Sequence, residues 1–263
     1  MTTENGARRF KMSAKVLDHA DIRSKLSQFG YAYVDVDMEN VDYVTELSSL
    51  GPLVPQYDGQ LVRDITPDPN VPDDVLSAVG VTALPPHTEW YEFPGLPPRY
   101  VVLWCVHHAN GLGGETTLAD GHRLLGHFTS DERAELSRRV YRWGSRYPEA
   151  LAKRGIHGLG HNKILDEYED SVVMRFSTYD LEVTDELSAR YIKVGGRFFE
   201  ENHVAIKIER GTMLIWDNWR MLHSRNAFAD RRRHLRRVLI GTVERASQPP
   251  AGCPVHGTPS AGR

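Results

Sequence analysis

The stretch LPPHTEWYEF, residues 84–93, places a histidine and a glutamate two positions apart, at His87 and Glu89. In an extended segment such residues project to the same side, so both can offer ligand atoms to one metal ion. A second histidine, His223, follows the apolar segment GTMLIW, residues 211–216. Two histidines and one carboxylate on one face of an octahedral metal leave three positions open, the arrangement of non-haem Fe(II) oxygenases. The three residues therefore predict an iron site.

Each of these residues also has a purely structural interpretation. An exposed loop explains a lone pair such as His87 and Glu89, and a hydrogen-bonded core histidine explains His223. The metal prediction depends on the three residue types occurring in order with the motifs that follow.

An arginine-rich segment, RRRHLRR, leads into the apolar residues VLIG near the end of the chain. If it forms a strand, Arg233, Leu235 and Arg237 share one face. A buried arginine needs an anionic partner, and a dicarboxylate cosubstrate provides one because guanidinium binds carboxylate through two hydrogen bonds. If a hairpin joins their strands, Arg237 lies beside His223 and holds the far end of a molecule whose near end chelates the metal. A structural ion pair is the alternative for Arg237.

The hydrophobic pattern predicts short strands and a few helices. The predicted helices cover residues 16–30, 41–51, 129–143 and 184–202, and the predicted strands cover residues 31–38, 99–109, 171–177, 211–218 and 234–244. The pair Gly195–Gly196 is expected to interrupt the last helix. A long loop rich in Pro, Asp and Gly is predicted over residues 52–86. Because no regular β-α-β alternation appears, we expect a mainly β fold with flanking helices, an antiparallel barrel or jelly roll.

The length of 263 residues, with 40% apolar and 25% charged residues, is typical of a soluble globular protein. We expect one domain over residues 13–246, between a flexible N-terminus at 1–12 and a disordered tail at 247–263. The net charge of −3 argues against nucleic acid as a partner. No apolar run approaches the ~18–20 residues that cross a membrane. Two cysteines, Cys105 and Cys253, and the lack of an apolar signal segment predict a cytoplasmic protein.

Four motifs in order give the sequence a family resemblance. They are HTE at 87–89, GGETTLADG at 113–121, WDNWRMLHSR at 216–225 and RRHLRRVLIG at 232–241. Together they resemble the taurine dioxygenase / clavaminate synthase-like family of Fe(II)- and 2-oxoglutarate-dependent oxygenases, over about residues 84 to 244. The resemblance implies a double-stranded β-helix, the cupin-like jelly roll. It also implies Fe(II) as cofactor and 2-oxoglutarate and O2 as cosubstrates.

The resemblance also implies roles for individual residues. It implies that His87, Glu89 and His223 bind the iron and act in catalysis. Arg237 is implied to bind the distal carboxylate of 2-oxoglutarate.

Three further residues receive less specific predictions. The resemblance implies that Thr116 donates a hydrogen bond to the same carboxylate as Arg237, although a turn hydroxyl is the alternative. Arg233 corresponds to a second family arginine near cosubstrate and substrate. Arg63 lies in the long predicted loop, our candidate lid, where it is expected to bind a substrate carboxylate unless its role is structural.

The identity of the carboxylate ligand bears on the substrate. A glutamate at position 89, rather than the commoner aspartate, resembles clavaminate synthase and amino-acid β-hydroxylases. We therefore expect a small amino-acid-like substrate of specialised metabolism, such as antibiotic biosynthesis. Hydroxylation is the first expectation, and desaturation and cyclisation stay open. Family members also form homo-oligomers. The alternatives from other classes are a cupin-like metal or small-molecule binder and a zinc hydrolase.

Overall fold

A computed structural model describes residues 17–36, 42–56, 58–72, 78–144 and 160–242. The predicted flexible N-terminus at 1–12 and the predicted tail at 247–263 lie outside the described residues. The boundaries of the single domain therefore stay a prediction. The cytoplasmic location and the homo-oligomer also stay predictions. Among the described helices, none is long and apolar enough to span a membrane.

The helices and strands are short and follow one another closely. The described helices are α1 (His19–Phe29), α2 (Tyr43–Leu47), α3 (Gly121–Leu124), α4 (Ser130–Arg138) and α5 (Glu186–Asn202), with 3-10 turns at Ser48–Leu50 and Leu125–His127. The strands of the first half are β1 (Tyr31–Asp35), β2 (Leu53–Val54), β3 (Val62–Ile65), β4 (Leu84–His87), β5 (Tyr100–His107) and β6 (Thr116–Asp120). Those of the second half are β7 (Val140–Arg142), β8 (His161–Lys163), β9 (Leu165–Tyr168), β10 (Ser171–Met174), β11 (Val204–Ile206), β12 (Thr212–Asp217), β13 (Met221–Arg225) and β14 (His234–Ile240).

Two antiparallel sheets form the centre of the molecule. The larger contains β1, β12, β5, β14 and β2 in that order, with β3 also paired to β14. The smaller contains β11, β6, β13 and β4. Apolar side chains from both sheets, such as Leu118, Leu214 and Trp216, belong to one buried cluster. The space between the two sheets is therefore the core that the functional site enters.

The helices cover the outer faces, as the sequence predicted. Ile22 and Leu26 of α1 pack with Val102 and Ile215 of the larger sheet. Apolar residues of α5 pack in a separate cluster with Leu222 of the smaller sheet. Each sheet thus buries one face against its partner and the other against helices, which explains why β5 and β12 are apolar without strict alternation.

Two predicted helices differ from the structure. The helix predicted over 129–143 begins with a capping box at Thr129 but ends at Arg138. Beyond it, Val140–Arg142 pair with β8 instead. The predicted break at Gly195–Gly196 is wrong, because α5 continues through both residues. Glycine is needed at 195 by packing, since a Cβ there would lie 2.2 Å from Cε2 of Phe176.

The long loop predicted over 52–86 contains three short strands. β2 and β3 extend the larger sheet along β14, and β4 forms an edge of the smaller sheet. The expected hairpin between the strands of His223 and Arg237 is also wrong, because β13 and β14 belong to different sheets. The two residues therefore approach each other across the space between the sheets.

Candidate active site

The three predicted metal ligands come together between the sheets. β4 ends at His87, and the pairing of β4 with β13 sets His87 directly opposite His223. Their ring centroids are 4.2 Å apart, and Nε2 of His223 lies 3.8 Å from Oε2 of Glu89. One ligand atom from each residue lies within 4.8 Å of the other two. This spacing suits a single metal ion.

Hydrogen bonds orient two of these residues. Nδ1 of His87 lies 2.9 Å from the carbonyl oxygen of Pro85, so a proton on Nδ1 leaves the lone pair on Nε2 for a metal. The backbone N–H of Glu89 donates to Oδ1 of Asn218 at 2.6 Å, and Nδ2 of Asn218 donates to the Glu89 carbonyl at 3.0 Å. The next residue, Trp90, takes a positive φ of 63° and is fully buried. The hydrogen bonds to Asn218 and the burial of Trp90 therefore fix the backbone of the turn at Glu89.

The electrostatic surroundings keep both imidazoles neutral. Burial lowers the pKa of His87 below its ordinary value, against the opposing charge of Glu89. Burial lowers the pKa of His223 well below its ordinary value, and the neighbouring His87 and the positive charge of Arg237 act in the same direction. A neutral imidazole is the form that binds metals. Two neutral imidazoles and one carboxylate are a donor set that fits Fe(II).

Arg237 reaches this donor set from the larger sheet. The residue is 7% exposed, and Nη1 of its guanidinium lies 3.1 Å from each carboxylate oxygen of Glu89. Its Nε donates to Oε1 of the fully buried Gln56 at 2.8 Å, and Nε2 of Gln56 donates to the Arg237 carbonyl at 3.0 Å. Gln56 lies in the predicted loop and carried no signal in the sequence.

Arg233 is a buried cation of the site, and its guanidinium lies over an aromatic ring. It is 4% exposed, and among the described residues its guanidinium has no hydrogen-bond or ion-pair partner. The guanidinium carbon lies 5.1 Å from the centroid of the Phe228 ring. Burial lowers the pKa of Arg233 to about 10, which still leaves it charged at neutral pH. A buried charge without a partner is costly, so this position suits an anionic ligand.

One pocket between the sheets connects these groups. Its lining includes the three candidate ligands, Thr116, Arg233 and Arg237, with apolar walls from residues such as Leu103 and Leu235. Arg225 also lines it, and its position two residues after His223 on β13 is the signal that would have found it.

Arg63 lies near the site but outside this pocket. It pairs with Arg237 in the register of β3 and β14, and its Nε lies 3.9 Å from Oδ2 of Asp58. It is not among the described residues that line the pocket. Its role in substrate binding stays a prediction.

Comparison with known proteins places these features in a family. The model of the family described as taurine catabolism dioxygenase TauD, TfdA matches residues 15–239. Among curated proteins, none matches the chain.

Solved structures share the fold. An asparagine oxygenase in complex with Fe(II), 2S,3S-3-hydroxyasparagine and succinate has 18% identity and a TM-score of 0.71, covering 89% of this chain and 83% of that chain. The non-heme iron oxygenase OrfP with Fe and alpha-ketoglutaric acid has 19% identity and a TM-score of 0.65, covering 84% and 78%. OrfP with Fe, succinate and (3S)-hydroxy-L-Arg has 19% identity and a TM-score of 0.65, covering 84% and 79%. With the two facing antiparallel sheets, these likenesses confirm the predicted double-stranded β-helix.

Proposed function

Since the chain belongs to the taurine catabolism dioxygenase TauD, TfdA family, we propose that it is an Fe(II)/2-oxoglutarate-dependent oxygenase acting on an amino acid or amino-acid derivative. The observation that carries this proposal is the buried donor set of His87, Glu89 and His223, open to a pocket with two buried arginines. When bound, the iron with O2 and 2-oxoglutarate supplies the oxidant for a substrate C–H bond, while 2-oxoglutarate becomes succinate and CO2. The protein residues bind and orient the reactants, and they exclude water from the site.

The three ligands hold the iron in our proposal. The hydrogen bond from His87 to Pro85 fixes the ring, and the two bonds between Glu89 and Asn218 fix the backbone of the carboxylate. Such outer contacts set ligand orientation and metal affinity. Because burial keeps both imidazoles neutral, no proton has to leave them when metal binds at neutral pH.

We assign the distal carboxylate of 2-oxoglutarate to Arg233, with Thr116 as a second donor. The sequence assigned this carboxylate to Arg237, but the guanidinium of Arg237 already contacts Glu89 and Gln56. Arg233 is buried without such partners and faces the same pocket as Thr116. A carboxylate on Arg233 supplies the opposite charge that none of the described residues places at hydrogen-bonding distance.

We assign Arg237 to the substrate. Its guanidinium, next to Oε1 of Gln56 and the carboxylate of Glu89, places a cation beside two acceptors. Among the described residues, the Nη2 group of Arg237 has no partner. This arrangement suits a zwitterionic amino acid, whose carboxylate accepts from Nη2 of Arg237 and whose ammonium group donates to Gln56. Hydroxylation is the proposed outcome, in keeping with the hydroxylated amino acids in the asparagine oxygenase and OrfP structures. Arg63, on the strand next to Arg237, is kept as a proposal for a second substrate carboxylate.

The test is release of succinate by the purified protein with Fe(II), 2-oxoglutarate and O2, screened across free amino acids. At least one amino acid is expected to raise succinate release above the rate without substrate. The Arg237→Gln variant is expected to keep the rate without substrate and to lose the stimulation. Stimulation that persists unchanged in this variant would refute the assignment of Arg237, and a full panel without stimulation would refute the substrate class.

A further inference from the structure

A third arginine of the pocket, Arg225, binds the backbone of a neighbouring segment. It lies on β13 two residues after His223, so both side chains face the space between the sheets. The residue is 5% exposed. Its Nη1 donates to the carbonyl oxygen of Ala78 at 2.8 Å and its Nη2 to that of Thr82 at 2.6 Å. Ala78 lines the pocket, so Arg225 holds part of the pocket wall.

Further bonds join the same two stretches of chain. The N–H of Phe228 donates to the carbonyl oxygen of Val81 at 3.0 Å, and the hydroxyl of Ser224 donates to the carbonyl oxygen of Leu84. The planar fork of Arg225 reaches two carbonyls at once, which the single ammonium group of lysine does not reproduce. Arg225 therefore ties the carbonyl groups of Ala78 and Thr82 to one guanidinium.

Phe228 connects Arg225 to Arg233. Its ring centroid lies 5.1 Å from the guanidinium carbon of each arginine. Both guanidinium groups line one pocket against the same ring, and two cations in one buried pocket repel each other. An anion on Arg233 removes this repulsion and favours the arrangement in which Arg225 holds the wall.

We propose that Arg225 is a positioning residue that holds residues 78–82 as a wall of the cosubstrate pocket, and that an anion bound at Arg233 strengthens this closure. The inference rests on the proposed function, because it takes 2-oxoglutarate as the anion. It assigns to Arg225 no contact with the reacting atoms. Its role is to keep the wall closed and the cosubstrate in place.

Amide hydrogen exchange of the peptide covering residues 78–84 tests the inference. The wild-type protein, Arg225→Lys and the control Arg236→Lys are compared under anaerobic Fe(II), with and without 2-oxoglutarate. Arg236 is an exposed residue of β14 bonded to Asp64, outside the pocket. In wild type and control, 2-oxoglutarate is expected to slow exchange of this peptide about tenfold, and in Arg225→Lys the slowing is lost. The KM for 2-oxoglutarate is expected to rise about tenfold in Arg225→Lys with kcat nearly unchanged.

The possible results separate the inference from the proposed function. Binding of 2-oxoglutarate is followed in the same samples by the visible absorption of the iron-bound 2-oxo acid. If that absorption appears in wild type while 2-oxoglutarate leaves the amide exchange of residues 78–84 unchanged, the inference is overturned and the proposed function stands. If Arg225→Lys behaves as wild type in both exchange and KM, the inference is also overturned. If the absorption never appears in wild type, the proposed function fails and the inference fails with it.

Discussion

At the scale of single residues, Gln56 controls how Arg237 is presented. One side-chain amide accepts from Nε of Arg237 and donates to the backbone carbonyl of the same residue. Because both contacts are buried, replacing the amide leaves Arg237 free to turn away from Glu89. Gln56 is thus a positioning residue for substrate binding in this account.

The substitution Gln56→Leu removes both contacts and keeps the size of the side chain. We expect the KM for the amino-acid substrate to rise about tenfold or more, because loss of a buried hydrogen bond to a charged group is costly. The KM for 2-oxoglutarate is expected to change little, since Arg233 is not touched. Steady-state kinetics with each reactant varied in turn measures the split. Gln60→Leu, at an exposed position of the same turn, is the control. An equal rise in both KM values in Gln56→Leu would exclude Gln56 as a positioning residue for the amino-acid substrate.

The sequence revealed only some of these residues. His87 and Glu89 were predictable because a spacing of two in an extended segment sets both side chains on one side, and because the other motifs follow in order; in the structure β4 ends at His87 and Glu89 lies in the turn after it. Gln56 and Asn218 were not, because Gln56 is separated from Arg237 by 181 positions and Asn218 from Glu89 by 129. Contacts at such separations depend on how the sheets pack, and neither residue type is unusual in a turn.

At the scale of elements, the two adjacent glycines of α5 have opposite roles. A Cβ on Gly195 would lie 2.2 Å from the ring of Phe176, whereas a Cβ on Gly196 would have its nearest neighbour, Cγ2 of Thr178, at 3.7 Å. Phe176 in turn exchanges hydrogen bonds with Thr88, the residue between two candidate metal ligands. Packing of α5 is therefore connected to the site.

The variants Gly195→Ala and Gly196→Ala make a matched pair. Gly195→Ala is expected to lower the free energy of unfolding by about 1–3 kcal/mol, because the buried ring of Phe176 has to move. Gly196→Ala is expected to raise it by up to about 1 kcal/mol through helix propensity. Urea unfolding measures both. Equal effects in the two variants would show that the packing of Gly195 does not matter.

The elements that the sequence missed are those with the weakest local signals. β2 has two residues and β3 has four, too few to show an alternating pattern within a segment rich in proline. Both become strands because they pair along β14. The break wrongly predicted in α5 shows the converse, since helix propensity at Gly195 is overridden by tertiary packing.

At the scale of the whole molecule, the buried histidines make the metal-free fold sensitive to acid. The folded-state pKa values of His87 and His223 lie below the ordinary value of 6.5. Between the lowered pKa and 6.5 the unfolded chain binds more protons than the folded chain, so stability falls as the pH is lowered through this window. The limit is about 1.4 kcal/mol per pH unit for each histidine. Full stability from this source is present above pH 6.5.

Comparison with a double variant isolates this contribution. Burial raises the pKa of Glu92 to about 8, which stabilises the fold as the pH falls and opposes the effect of the histidines. Unfolding of the metal-free protein is therefore followed from pH 7.5 to 5.5 in wild type and in His87→Gln/His223→Gln. The free energy of unfolding of wild type minus that of the double variant is expected to fall as the pH is lowered, because only wild type loses stability through these residues. A constant difference would mean that the histidines are not held neutral.

The central claim is that this site binds Fe(II) and 2-oxoglutarate together. Its most direct test adds Fe(II) and then 2-oxoglutarate under anaerobic conditions, and looks for the weak visible charge-transfer band of a chelated 2-oxo acid. We predict the band in wild type, its loss in His223→Ala, and a dissociation constant for 2-oxoglutarate about tenfold higher or more in Arg233→Gln. Iron binding without the band in wild type would contradict the claim and favour a cupin-like binder or a zinc hydrolase.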